Sequence, residues 1–311
     1  MKLYPGDVID FQDMFPTDQA CFEYLRLVKW PNGFVCPYCH ANKAWKLKRY
    51  ILRCQICKRD VSVTAGTIFQ DLRKPLRLMF QAMWYIVCQK QGVSALGLKS
   101  ILGLGSYETA WVWLHKLRTA LVRPGRDRLS GTVEVDEIWI GGAHSGKRGR
   151  GAEGKELVLV AVEKTNFGIG RIRLKRIPDA AGITLEKAVT ELVDQGSTIR
   201  TDGWRGYTRL KEKGYTHKVL VHPVQEPGDD PTPLVDRSAS LLKRWLLGTH
   251  QDGQQFSHLH YYLDEFTFRF NRRTSRSRGQ LFYRLVQQAL ELKPAPLSTI
   301  PIQHEFATNI F

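Results

Sequence analysis

Apolar residues recur at helical spacing through the first third of the chain and at strand spacing after residue 131. From Leu76 to Lys90 they fall at Leu78, Met79, Ala82, Met83, Ile86 and Val87, the rhythm of one buried helix face, with Pro75 at its start. Phe15-Pro16-Thr17 reads as an earlier helix start, with Ala20 to Val28 as the periodic body. A helix to about Leu102, a Gly103-Leu104-Gly105 turn and a helix from Ser106 to about Val122 form a helix-turn-helix-like hairpin. Its second helix would offer Ser106, Tyr107, Glu108, Thr109 and Lys116 to a DNA groove, although any helical hairpin shares this pattern.

Thr132 to Ile140, Glu156 to Glu163 and Gly170 to Ile177 read as strands. A helix over Thr184–Val193, a short strand Ser197–Thr201, a helix over Trp204–Lys213, a strand His217–His222 and a helix Val235–Leu247 follow. The order β-β-β-α-β-α-β-α places the chain in the α/β class. Residues 143–154, glycine-rich and basic, read as a mobile loop, and 223–234 as a proline-rich loop. The expected division is a helical lead-in (1–30), a cysteine-bearing ribbon (31–70), the helix-turn-helix-like module (71–123), a linker (124–131), the α/β domain (132–292) and a C-terminal tail (293–311).

Hydrophobic residues are 43% and charged residues 24% of the chain, a balance that excludes extended disorder. The longest mainly apolar stretch, Leu78 to Cys88, is 11 residues, short of the roughly 20 that a bilayer requires. The first 20 residues carry Asp7, Asp10, Asp13 and Asp18 and no apolar core, so neither a secretory leader nor a membrane role is expected, and the expected location is the cytoplasm. The net charge of +16 is uneven: residues 29–130 hold 18 basic and 4 acidic side chains. That concentration is the footprint of a surface for a polyanion such as double-stranded DNA.

Four of the six cysteines form two CxxC pairs, Cys36/Cys39 and Cys54/Cys57, with 14 residues between. Two knuckles at this spacing suit one structural Zn²⁺ with a filled thiolate shell and no open position for water. Paired disulfides fit poorly in a reducing cytosol. Between the knuckles Lys43, Lys46, Lys48, Arg49 and Arg53 alternate with Trp45, Leu47 and Tyr50, as on a small β-ribbon with one basic face. Cys21 and Cys88 lie in apolar surroundings and read as packing residues.

Three carboxylates stand where burial is costly or geometry directive. Asp136 lies inside an apolar strand, Asp202 ends a short strand before Gly203, and Asp236 opens a helix with Lys243 two turns along the same face. If the first and fourth strands are neighbours, Asp136 and Asp202 meet, and an oxygen-only cluster suits Mg²⁺ or Mn²⁺. Each also has a plainer reading: a strand-edge residue, a turn aspartate, and a residue favoured by the helix dipole. Glu137 faces away from Asp136, so only one of the two can enter the cluster. His217 and His222 read as strand packing or surface residues.

Quoted together, FVCPYCH, RCQIC, SVTAGTIF, AWVWLHKLR, VDEIWIGG, TDGWRGY, SLLKRWLLGTH and HLHYYLDEFTFRFNRR resemble bacterial insertion-sequence transposases of the DDE type that carry a zinc ribbon. The resemblance covers nearly the whole chain. It implies an RNase H-like mixed sheet flanked by helices over 132–292, and Mg²⁺-dependent strand cleavage and transfer at element ends. It also implies terminal inverted repeats and target DNA as partners, a homo-oligomer on DNA, and association with the nucleoid. Carried over by position, the first two carboxylates are Asp136 and Asp202. The usual Asn and Glu before the Leu-Lys-Arg segment are here Pro233 and Asp236, and the usual aromatic pair is Ser238-Ala239. Three functions therefore stand open: an active transposase, a catalytically impaired relative that only binds DNA, and a nuclease that cuts without joining.

Overall fold

Three helix starts in the first third are capped by the side chains that precede them, Asp7, Thr17 and Ser94. The structure, a computed structural model, describes residues 3–123, 125–141, 155–219, 232–250 and 256–294. The expected loop at 143–154, His222 and most of the loop at 223–234 lie outside the described residues. Helix α1 (Val8–Met14) is capped by Asp7, whose carboxylate accepts the Asp10 N–H at 2.9 Å, and α2 (Asp18–Lys29) by the Thr17 hydroxyl on Ala20 N–H. Strands β1 (Ala44–Lys46), β2 (Ile51–Cys54) and β3 (Asp60–Ser62) form an antiparallel ribbon. A short 3-10 turn, Lys48–Tyr50, interrupts the alternation expected between the knuckles.

Helix α3 (Leu76–Cys88) follows Pro75. Helix α4 (Ala95–Leu102) ends at Gly103, whose φ of +61° is the left-handed cap that glycine adopts without strain, and α5 (Tyr107–Ala120) is capped by Ser106. The α4–α5 hairpin is thus present, but α5 is buried over most of its length. Of the residues expected to face DNA, Tyr107 and Glu108 are exposed, whereas Ser106, Thr109 and Lys116 are half-buried.

The second half opens with β4 (Thr132–Ile140), β5 (Glu156–Thr165) and β6 (Gly168–Ile177), followed by α6 (Gly182–Leu192) and β7 (Thr198–Thr201). Then come a 3-10 helix, Arg205–Lys213, where an α-helix was expected, β8 (Thr216–Val219), α7 (Pro233–His250), α8 (Leu259–Asn271) and α9 (Arg278–Glu291). The sheet runs β6-β5-β4-β7-β8, with β4, β5 and β6 antiparallel and β7 and β8 parallel to β4. This is an RNase H-like mixed sheet flanked by helices. The run Leu157–Val162 is apolar throughout because β5 is covered on both faces. Leu157, Leu159 and Ala161 pack under α6 and the 3-10 helix, and Val158, Val160 and Val162 under α7 and α8.

The chain divides into two compact units, Met1–Arg123 with Ser275–Phe311, and Pro124–Thr274. The expected α/β domain over 132–292 therefore differs at its end. Helix α9 packs instead in the first unit, where Phe282 joins Phe11, Phe15, Phe80 and Trp84 in an aromatic cluster with centroids 5.0–5.9 Å apart. The expected linker is also not free chain. Leu129 bridges to Val193, Glu163 accepts the Ser130 N–H, and the buried Arg173 donates to the Asp127 carbonyl.

Arg126 lies 4.0 Å from Asp264 of α8, whose carboxyl burial pushes from 3.8 up to about 6 against the pull of that guanidinium. The protonated form is favoured on folding, so Asp264 contributes stability below the unfolded value and loses it as pH rises through about 6. Thermal melts across that interval are expected to fall less steeply for Asp264→Asn than for the parent chain. Identical slopes would contradict this.

Candidate functional site

The two cysteine knuckles share one backbone form. His40 and Lys58, each directly after a second cysteine, have φ of 59° and 61°, and their N–H groups donate to the carbonyls of Cys36 and Cys54 at 3.0 and 3.1 Å. Left-handed conformations at non-glycine residues are strained, and they persist here because both turns aim two sulfurs at one point. Cys36 Sγ lies 3.7 Å from Cys57 Sγ, Cys39 Sγ lies 3.5 Å from Cys54 Sγ, and all four fall within 4.8 Å of one another. A tetrahedron of Zn–S bonds about 2.3 Å long has edges of about 3.8 Å, so the set fits one structural Zn²⁺. Burial opposes the Cys54 thiolate, but the N–H groups of Cys57 and Ile56 together with the thiols of Cys39 and Cys57 outweigh it and hold its pKa down at about 6. Cys21 is buried and Cys88 half-buried, and burial pushes both thiols up, to about 12 and about 11.

On β4 the side chains alternate. Val133, Val135 and Trp139 enter the core under α6, while Ile138 and Ile140 enter the core under α7 and α8. Glu134 and Asp136 share the latter face. Glu134 pairs in parallel register with Arg200 of β7, the last pair of that ladder, and Asp202 directly follows β7, near enough for its charge to act on Asp136. The expectation that the first and fourth strands are neighbours is met. Asp136 is pushed up to about 6, chiefly by burial, with the charges of Asp202 and Glu137 adding to it. The Glu137 N–H at 2.8 Å and the Thr232 hydroxyl at 3.3 Å act in the opposite direction. Asp202 is exposed; its Oδ1 accepts the Trp204 N–H at 2.9 Å across Gly203, whose φ of +92° demands glycine. It is thus a turn aspartate and a neighbour of Asp136 at once. Glu137 points to the other face, where the Tyr207 hydroxyl donates to it at 2.7 Å.

Two residues that sequence reasoning missed tie α7 to this strand. Glu134 is 1% exposed, pairs with Arg200 Nη1 at 3.2 Å and accepts the Leu234 N–H at 2.9 Å, so it anchors the first turn of α7. Thr232, also buried, donates to Asp136, and its carbonyl accepts the Asp236 N–H at 3.1 Å. Asp236 follows Thr232 by one turn and Lys243 by three, so all three lie along one side of α7, bordering the buried stripe of Val235, Ala239, Leu242 and Leu246. Asp236 and Lys243 are exposed. The structure thus puts Asp136 within the electrostatic reach of Asp202 and aligns Asp236 with Lys243. Among the described residues the four cysteines are the one group of three or more candidate ligands within 4.8 Å, and the three aspartates do not close to that distance.

Among the described residues no helix is long and apolar enough to cross a membrane. Residues 16–60 match the transposase zinc-ribbon domain, and residues 128–271 match the ISXO2-like transposase domain. The chain is 27% identical over 256 residues to an uncharacterized protein in transposable element ISH50 of Halobacterium salinarum, an alignment covering 75% of this chain and 84% of that one. The two matched segments contain the four-thiolate centre and the Asp136 strand respectively, so the chain joins a region similar to transposase zinc ribbons to one similar to ISXO2-like transposase domains.

Proposed function

We propose that this protein is a transposase of the DDE type, binding the ends of an insertion element and carrying out divalent-metal-dependent strand cleavage and strand transfer. The observation that carries the reading is the Asp136 carboxyl held up at about 6 on β4, with the charge of Asp202, directly after the neighbouring strand β7, adding to the effect of burial. Two carboxylates so placed repel each other and gain most from a shared cation. Asp136 and Asp202 would hold Mg²⁺ or Mn²⁺, with Asp236 as the third carboxylate. When bound, the ions activate the attacking hydroxyl and stabilise the leaving oxygen of an in-line displacement at phosphorus. Thr232 holds one oxygen of Asp136 in place, Glu134 fixes the start of α7, and Lys243 places a cation beside the phosphate backbone. Asp236 is one methylene shorter than the Glu usual at this position, and a misplacement of about 1 Å can cost on the order of a hundredfold in rate. This favours a weak enzyme as the second reading.

The ribbon and the α4–α5 hairpin would bind the terminal inverted repeats, and a homo-oligomer would hold the two ends that must be joined. The direct test incubates the protein with Mg²⁺ and duplexes taken from the DNA flanking its gene. Cleavage at a repeat boundary and joining to target DNA support the reading; cleavage without joining favours a nuclease. Duplex binding is expected to weaken by about 10³-fold or more between ~50 and ~200 mM salt as released counterions are opposed. An affinity that holds across that range would rule out the basic ribbon face as the binding surface.

A further inference from the structure

Between α2 and the ribbon lies a cavity of about 610 Å³, within the size range of small-ligand sites. One wall is aromatic: Trp30 and Phe34 meet edge to face with centroids 5.2 Å apart. Arg26, Lys43 and Lys46 bring three cations to the lining and Glu23 one carboxylate. Asn42, exposed, adds an amide able to donate and accept. The Arg26 guanidinium is held in orientation by an Nη2 bond to the Tyr50 carbonyl at 2.7 Å, while its Nε is buried without a hydrogen-bond partner.

We propose that this cleft takes one unpaired nucleotide of DNA, the base against Trp30 and Phe34 and its phosphate on Arg26, Lys43 and Lys46. The inference rests on the reading of the protein as DNA-binding. An aromatic wall with cations on the same lining matches a nucleotide, which is apolar on its base faces and anionic on its backbone. A duplex backbone alone would leave the aromatic wall unused. The last base of a DNA end has a stacking neighbour on one side only, so unpairing it costs less than in the interior. The oriented Arg26 fork supplies planar, directional donors to phosphate.

The test uses full-length, zinc-loaded protein and two DNA hairpins, one blunt and one carrying a single unpaired 2-aminopurine at its end. The overhang hairpin is expected to bind about tenfold more tightly, as stacking of one base on an aromatic side chain provides. Its fluorescence is expected to be quenched on binding. Trp30→Ala should abolish the preference and the quenching, with zinc content measured alongside because Trp30 also packs against the ribbon core. Asn42→Trp, a substitution at an exposed position that fills the mouth of the cleft, should do the same and covers the case in which Trp30→Ala loses zinc. Equal affinity for the two hairpins, or a preference that survives Asn42→Trp, overturns the inference and leaves the transposase reading standing. Failure to bind either hairpin overturns both.

Discussion

Asp136→Asn and Asp202→Asn are each expected to bring DNA cleavage and strand transfer to background. Outer-shell partners of a metal site typically cost about 10–100-fold when removed, and these two carboxylates would touch the ions themselves. Asn keeps the shape and discards the charge. Duplex affinity and zinc content should therefore be unchanged. The metal-free variants should melt no lower than the parent at neutral pH. Burial and the Asp202 charge raise Asp136 to about 6, so the ionised form is a burden on the fold that rises as pH climbs from the usual carboxylate value of 3.8 through about 6. Added Mg²⁺ should raise the melting temperature of the parent and not of the variants. Asp236→Glu should raise activity by restoring the missing methylene. Activity in Asp136→Asn within tenfold of the parent would remove Asp136 from the mechanism.

Cys54→Ser is expected to release about one zinc per chain, unfold the ribbon and abolish tight duplex binding. The ribbon core is small: Cys36, Leu52, Cys54 and Val61 are its buried members, with Trp30, Phe34, Ala41 and Ala44 packed around them. So few side chains cannot offset the chain entropy of some 30 residues, whereas a structural zinc contributes on the order of 10–16 kcal/mol of apparent binding free energy. The loss should appear as protease cleavage between residues 31 and 62, with the sheet of the Pro124–Thr274 unit intact by circular dichroism. A variant with a full complement of metal and parental DNA affinity would contradict the assignment.

The zinc centre was legible because its chemistry is local: two CxxC pairs fix four ligands without knowledge of the fold. Asp136 was legible because a carboxylate inside an apolar strand needs a reason. The neighbouring place of Asp202 depends on β4 and β7 being adjacent, which the β-β-β-α-β order allows. Glu134 and Thr232 were not legible, since their roles depend on Arg200 and Leu234, which approach only after the sheet and α7 have formed. Even in sequence Glu134 looks like any outward residue of an alternating strand. The place of α9 was hidden for a related reason. Its periodic apolar face requires a core but does not name which one, and Phe282 meets α1 and α3 across nearly the full length of the chain.

That return of α9 to the first unit sets an order of events during synthesis. Domains usually fold as they emerge, N-terminal first, at about 5–20 residues per second. Here the residues of the second unit are complete by Thr274, while the aromatic cluster of the first still lacks Phe282. The ribosome must add α9 before the N-terminal helices can close, a delay of roughly 10–30 s after Arg123 at those rates. A nascent chain, or one truncated before residue 278, would hold a finished sheet and an open N-terminal unit. What waits for the end of translation is thus the closing of the first unit, to which DNA-end capture is assigned, and not the sheet that carries Asp136.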